Sequence, residues 1–156
     1  MPGFGKPKAW DFLDSLYQVP GIKSQFDAAA LHPYAPNVDE LSSEVDKFRA
    51  SMTSHGDAST PLWLTELGWG SAAPDRFELN KGLPGQADLL AGAFRTILHK
   101  RDTWNVKRVF WFDWRDPKPG SVVAKACSFC GSAGLLNYMG VPKPSYQNFK
   151  NFVATP

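Results

Sequence analysis

The chain lacks the features that would place it in a membrane or on a nucleic acid. It has no stretch of about 18 or more apolar residues, which excludes an ordinary membrane-spanning helix. Net charge is only +2, and no basic run exceeds Lys100-Arg101 or Lys107-Arg108, so no nucleic-acid partner is expected. Those pairs read as solvated edges of a helix and a strand. The residues after Met1, Pro2-Gly3-Phe4-Gly5-Lys6, lack the apolar core of a secretory leader. A chain beginning inside a domain would lack one for that reason alone. Glycine-rich phosphate loops, Ser-His-Asp patterns and metal motifs are missing too, so neither a cofactor nor a metal is expected.

Cysteine is scarce. Cys127-Ser128-Phe129-Cys130 holds the two there are, and two thiolates cannot complete a tetrahedral zinc site. His55 and His99 stand at no ligand spacing to them. The pair lies in a Ser- and Gly-rich loop, whereas a thioredoxin-type motif would open a helix after a strand. A disulfide between Cys127 and Cys130 is the better reading, and it implies an oxidising, extracellular setting. Free thiols are the alternative.

What is present suits one domain with a real core: 156 residues, 43% of them hydrophobic, with six tryptophans. Trp10, Leu13, Leu16 and Tyr17 repeat at helical spacing, and Pro20-Gly21 stops that helix. An apolar strand, Phe26–Leu31, follows. Asn37 with Glu40 three residues on opens a second helix, whose stripe is Val38, Leu41, Val45, Phe48 and Met52. A strand at Leu62–Glu66 precedes a long Gly/Pro-rich loop, Gly68 to Gly85. A third helix carries Ala87, Leu90, Ala91, Phe94, Ile97 and Leu98, and a strand at Arg108–Asp113 comes after it. An irregular loop leads to Pro144 and a last helix with Tyr146, Phe149 and Val153. The order αβαβαβα predicts an α/β fold with a parallel sheet and right-handed crossovers.

Each strand stops on polar or aromatic residues: His32-Pro33-Tyr34, Glu66, and Asp113-Trp114-Arg115-Asp116. Such ends lie at the mouth of an α/β sheet, where these folds place their chemistry. Strict alternation would put Ala28, Ala30 and His32 on one face with Leu62, Leu64 and Glu66, and with Val109, Trp111 and Asp113. His32, Tyr34, Glu66, Trp111 and Asp113 then converge, and Trp63 turns away with Thr65 to pack on a helix. Carboxylates, hydrogen-bonding groups and aromatic platforms together suit a sugar, which presents hydroxyls around an apolar ring face. Trp69, just past its strand, is a candidate for stacking on such a ring. For Glu66 the bland alternative is a salt-bridged rim carboxylate, and for His32 a hydrogen-bonded core histidine. Asp113 and Asp116 can equally cap the loop or pair with Arg115.

Leu31-His32-Pro33-Tyr34, Leu64-Thr65-Glu66-Leu67-Gly68-Trp69 and Phe110-Trp111-Phe112-Asp113, in that order, resemble the ends of strands six, seven and eight of a clan A retaining glycoside hydrolase. These are TIM-barrel enzymes such as cellulases and β-xylosidases. Gly134-Leu135-Leu136 and Gly140-Val141-Pro142-Lys143-Pro144-Ser145-Tyr146-Gln147-Asn148-Phe149 resemble the stretch entering the last barrel helix. The resemblance runs from about Trp10 onward. It implies that Glu66 is the nucleophile, which forms a covalent glycosyl-enzyme. It further implies that Tyr34 donates a hydrogen bond to Glu66, with His32 close by, and that Trp111 lies beneath the reacting sugar.

Two things do not fit a whole enzyme. A complete (β/α)8 barrel takes roughly 250 residues, and this chain has room for three strands. Retaining glycosidases also need a second carboxylic acid about 5–5.5 Å from the nucleophile. In clan A it belongs to an Asn-Glu pair ending strand four, and this chain has no Asn-Glu dipeptide. The expectation is a partial barrel, residues 1–156 being the C-terminal portion of one catalytic domain that acts on β-linked polysaccharide or oligosaccharide. Its partner would be the missing N-terminal half of the barrel. A self-sufficient small α/β domain and a non-catalytic carbohydrate-binding remnant are the alternatives.

Overall fold

The computed structural model describes residues 8–76 and 78–154; the Pro2–Lys6 segment discussed above lies outside them. In chain order the elements are α1 (Ala9–Leu16), a 3-10 turn (Ile22–Ser24), β1 (Ala29–Leu31), α2 (Val38–Ser54), β2 (Leu62–Leu67), α3 (Gly82–Trp104), β3 (Val106–Trp111), a second 3-10 turn (Val123–Lys125) and α4 (Pro144–Val153). The three strands form one parallel sheet in the order β1-β2-β3. The alternating pattern therefore produces the expected α/β arrangement.

Strand lengths differ from the apolar runs that announce them. Ala29 pairs with Leu62, Ala30 with Trp63 and Leu31 with Leu64. Since Leu62 is the first residue of β2, the run Phe26–Ala28 finds no partner strand and stays outside β1. β3 begins two residues earlier than expected, at Val106, after the Leu62 N–H bonds the Asn105 carbonyl at 2.9 Å. α3 also starts early, at Gly82. Pro84 is tolerated because the first N–H groups of a helix have no intrahelical acceptor.

The described residues group into two units. One comprises the chain up to Leu67 together with Ile97–Phe110. Its core is one face of β1 and β2, Ala29, Leu31, Leu62 and Leu64, with Leu13, Leu41, Val45, Phe48, Met52, Ile97 and Trp104. α2 is well bounded. Asn37 Oδ1 accepts from the Glu40 N–H at 2.9 Å, and its amide also donates to the Glu40 carboxylate at 2.8 Å. At the other end Gly56 takes φ 72°, and the Gly56 and Asp57 N–H groups bond the carbonyls of Thr53 and Met52. That left-handed turn is the Schellman stop. Asp46 of α2 accepts from Lys100 Nζ at 2.8 Å and Trp104 Nε1 at 2.7 Å, fixing the C-terminal half of α3.

The other unit comprises Gly68–Thr96 and the chain from Trp111 onward. Phe94 packs against Phe149 and Phe152 of α4, with ring centroids 5.8 and 5.5 Å apart. Lys143 Nζ is buried against Asp116 at 2.7 Å, the Ser71 hydroxyl at 2.8 Å and the Ser132 carbonyl at 2.9 Å. Asp116 also accepts from the Gly134 N–H. Cys127 and Cys130 are bonded to each other, with Cα atoms 5.1 Å apart.

Candidate active site

The register corrects the expected faces. Ala30 lies opposite Trp63, so the Ala30 side of β1 is the Trp63 side of β2, while Leu62 and Leu64 share the other face with Ala29 and Leu31. The helix-covered face is the leucine one: both leucines are fully buried, and Trp63, expected to pack on a helix, is 39% exposed. His32 and Tyr34 nevertheless both reach Glu66. β1 has ended at Leu31, and the Tyr34 N–H bonds the His32 carbonyl at 2.9 Å, a tight turn in which strand alternation no longer applies.

Around Glu66 the geometry is specific. The Tyr34 hydroxyl donates to Glu66 Oε2 at 3.0 Å, and His32 Nδ1 lies 3.4 Å from the same oxygen. The His32 and Tyr34 rings meet edge to face at 6.4 Å. Tyr34 is buried, whereas the Glu66 side chain is about one-third exposed, so its carboxylate is held from one side and open on the other. Among the described residues no donor reaches Oε1. A carboxylate anchored by one oxygen and open at the second can act as a nucleophile.

The second unit brings Trp69 and Trp111 together, with ring centroids 6.1 Å apart and planes at 47°. Trp69, expected to offer a stacking face, is only 1% exposed and has no ring face open to a ligand. Trp111 is half-buried, and its Nε1 donates to the Ala133 carbonyl at 3.1 Å. Asp113 sits two residues further on and closes the loop on itself: its Oδ1 accepts from the Trp114 N–H at 2.5 Å. Its backbone bonds Ala133 and Leu135. Asp116 pairs with Lys143, so of the two proposed loop carboxylates one caps and the other forms a buried ion pair. Burial draws the Lys143 ammonium below the usual lysine range, and the neighbouring Asp116 opposes that pull.

Two residues that matter to this region carried no signal in the sequence. Gln86 reads as an ordinary polar residue near a helix start, and Lys143 as a charge between two prolines. Both are buried: Gln86 binds the carbonyls of Trp69 and Ala133, and Lys143 binds the Ser71 hydroxyl and the Ser132 carbonyl. No group of three or more His, Cys, Asp or Glu suited to a metal occurs among the described residues. No helix among them is long and apolar enough to cross a membrane.

Residues 5–141 match the model of the glycosyl hydrolase catalytic core family, and the chain belongs to that family. Its fold is similar to that of a GH2 β-galacturonidase from Eisenbergiella tayi bound to glycerol, at 12% identity and a TM-score of 0.63, covering 83% of this chain and 24% of that one. It is also similar to GH5_18 from Bifidobacterium longum subsp. longum in complex with Manβ1-4GlcNAc, at 19% identity and TM-score 0.61, over 82% of this chain and 30% of the other. A third similar structure is native xylanase 10B from Thermotoga maritima, at 18% identity and TM-score 0.55, over 92% and 40%. These neighbours are TIM-barrel glycoside hydrolases of clan A. At such identities the likeness establishes the fold, and the chain spans less than half the length of each of these three structures. No curated protein matches the sequence.

Proposed function

We propose that this chain is the nucleophile-bearing C-terminal portion of a retaining glycoside hydrolase, residues 1–156 being part of one catalytic domain. In this reading β1, β2 and β3 are strands six, seven and eight of a (β/α)8 barrel, and the substrate is a β-linked polysaccharide or oligosaccharide. Glu66 attacks the anomeric carbon through its open oxygen, and the glycosidic C–O bond breaks. The leaving oxygen takes its proton from a carboxylic acid outside this chain, and water later releases the sugar from the glycosyl-enzyme. Tyr34 and His32 hold Glu66 for in-line attack. Trp111 is the platform under the sugar, and Trp69 props it from behind. Asp113 shapes the loop at the rim. The Cys127–Cys130 disulfide suits an oxidising compartment, so an extracellular location belongs to the reading.

The observation that carries the proposal is the convergence of Tyr34 and His32 on one oxygen of Glu66. A solvated rim carboxylate would need no such preparation. The test is to assay the chain on nitrophenyl β-glycosides, xylan and cellulose beside Glu66→Gln. The missing general acid is worth typically ~10²–10⁴-fold in rate. The expected result is therefore slow, Glu66-dependent turnover of aryl glycosides, whose leaving groups need little protonation, with negligible polysaccharide hydrolysis. Robust polysaccharide hydrolysis by the chain alone would overturn the partial-barrel reading. Turnover that survives Glu66→Gln would overturn the nucleophile. Sugar binding without any turnover would favour the carbohydrate-binding remnant.

A further inference from the structure

Gln86 has no exposed surface, yet both ends of its amide find polar partners. Its Nε2 donates to the Trp69 carbonyl at 2.8 Å, and lies 3.3, 3.2 and 3.4 Å from the carbonyls of Ser132, Ala133 and Gly134. Its Oε1 accepts from the Ser145 hydroxyl at 2.8 Å. The amide can be oriented only this way, because four carbonyl oxygens would repel a fifth. One side chain thus ties the start of the loop after β2, the end of the loop after β3 and the first turn of α4 to the first turns of α3.

The Ala133 carbonyl in this cluster is the one that accepts from Trp111 Nε1, and the Trp69 carbonyl belongs to the residue whose ring packs at a tilt against Trp111. We infer that Gln86 is a positioning residue, which sets the Trp69–Trp111 pair by holding the backbone of both its supports. The inference rests on the proposed function only in treating Trp111 as the sugar platform; the positioning itself can be read without a sugar. Buried carbonyls need a donor to offset their lost hydration. Without Gln86 the 132–134 segment must shift toward water or toward Lys143 Nζ, which already binds Ser132. Either move carries the Trp111 indole with it.

The test compares the wild-type chain with Gln86→Leu, Ser145→Ala and the control Asn148→Ala. Asn148 Nδ2 donates to the Ala87 carbonyl at 3.0 Å, so its loss disturbs the same α3–α4 contact without touching the carbonyl cluster. The readouts are the indole N–H resonance of Trp111, assigned with Trp111→Phe, the near-ultraviolet circular dichroism of the tryptophans, and titration with xylohexaose and cellohexaose. Gln86→Leu is expected to move the resonance and reduce the aromatic dichroism. It should also weaken sugar binding roughly tenfold, the equivalent of one lost hydrogen bond. Ser145→Ala should move them the same way by less, and Asn148→Ala should leave them in place. A folded Gln86→Leu with wild-type resonance and dichroism would overturn the inference; should that variant fail to fold, unchanged spectra in Ser145→Ala would do so. A wild-type chain that binds neither sugar, while the spectra respond to Gln86→Leu, counts against the sugar platform and leaves the positioning role supported.

Discussion

The hydroxyl of Tyr34, in the turn after β1, and the carboxylate of Glu66, near the end of β2, meet at 3.0 Å although 32 residues apart in the chain. Tyr34 is buried and cannot turn to water, so Glu66 supplies its polar partner. The same contact gives the carboxylate a fixed orientation. Hydrogen bonding and site geometry are therefore one interaction here.

Removing it should be measurable in stability. Tyr34→Phe deletes the donor and leaves the ring packing intact. With Glu66 one-third exposed, water can replace the lost bond in part, so the cost should be about 1 kcal/mol. Urea unfolding of both proteins at neutral pH checks this, and no loss at all would mean that the contact is incidental.

Asp46 provides a pH-dependent test away from the site. Burial alone would raise its pKa, but hydrogen bonds from Lys100 and Trp104 win and lower it from the ordinary value of 3.8. A carboxylate with a depressed folded pKa stabilises above its unfolded value, and that stability is lost as pH falls through the folded one. Asp46→Asn should therefore destabilise by up to about 1 kcal/mol at pH 7, a modest figure because the pair is half exposed. The gap from wild type should shrink below pH 4, as followed by urea titrations at several pH values. A gap that widens in acid would reverse the assigned sign.

Gly68 should not accept a side chain. A Cβ there would lie 2.1 Å from the Phe112 carbonyl oxygen, and that neighbour is backbone rather than a flexible chain end. Gly68→Ala must push the loops apart at a cost of about 1–3 kcal/mol. Thermal denaturation reads the loss.

The disulfide predicts a mass two hydrogens below that of the reduced chain, and no alkylation without reductant. It closes a loop of only four residues, for which loop-closure entropy gives about 2 kcal/mol. The double substitution Cys127→Ser, Cys130→Ser should lower stability by no more than that. Two readily alkylated thiols in native, air-exposed protein would contradict it.

Much of this architecture is legible in local pattern. The stripe of α2, its Asn37 cap and the halt at His55-Gly56 are set by neighbours in sequence, and they appear as the pattern says. The apolar runs leading into His32, Glu66 and Asp113 likewise identify the three strands, although β3 itself stops at Trp111. Alternation fails where it is extended past a strand's end. His32 and Tyr34 reach Glu66 through a turn after β1, and the face of each strand depends on its partner's register. Nor does a tryptophan at or past a strand's end announce whether it is exposed: Trp69 is enclosed, and Trp111 is half-buried.

Local pattern alone specifies the order of helices and strands and singles out the carboxylate near the end of β2. Periodicity, caps and breakers act over a few residues, so they can be read without knowing what lies across the fold. Tertiary packing sets which oxygen of Glu66 is held, which face of the sheet is covered, and that Gln86 meets the Trp69 carbonyl and Lys143 the Ser71 hydroxyl. Those outcomes depend on where segments 17 to 72 residues apart come to rest. A buried polar side chain becomes recognisable only when its partners stand around it.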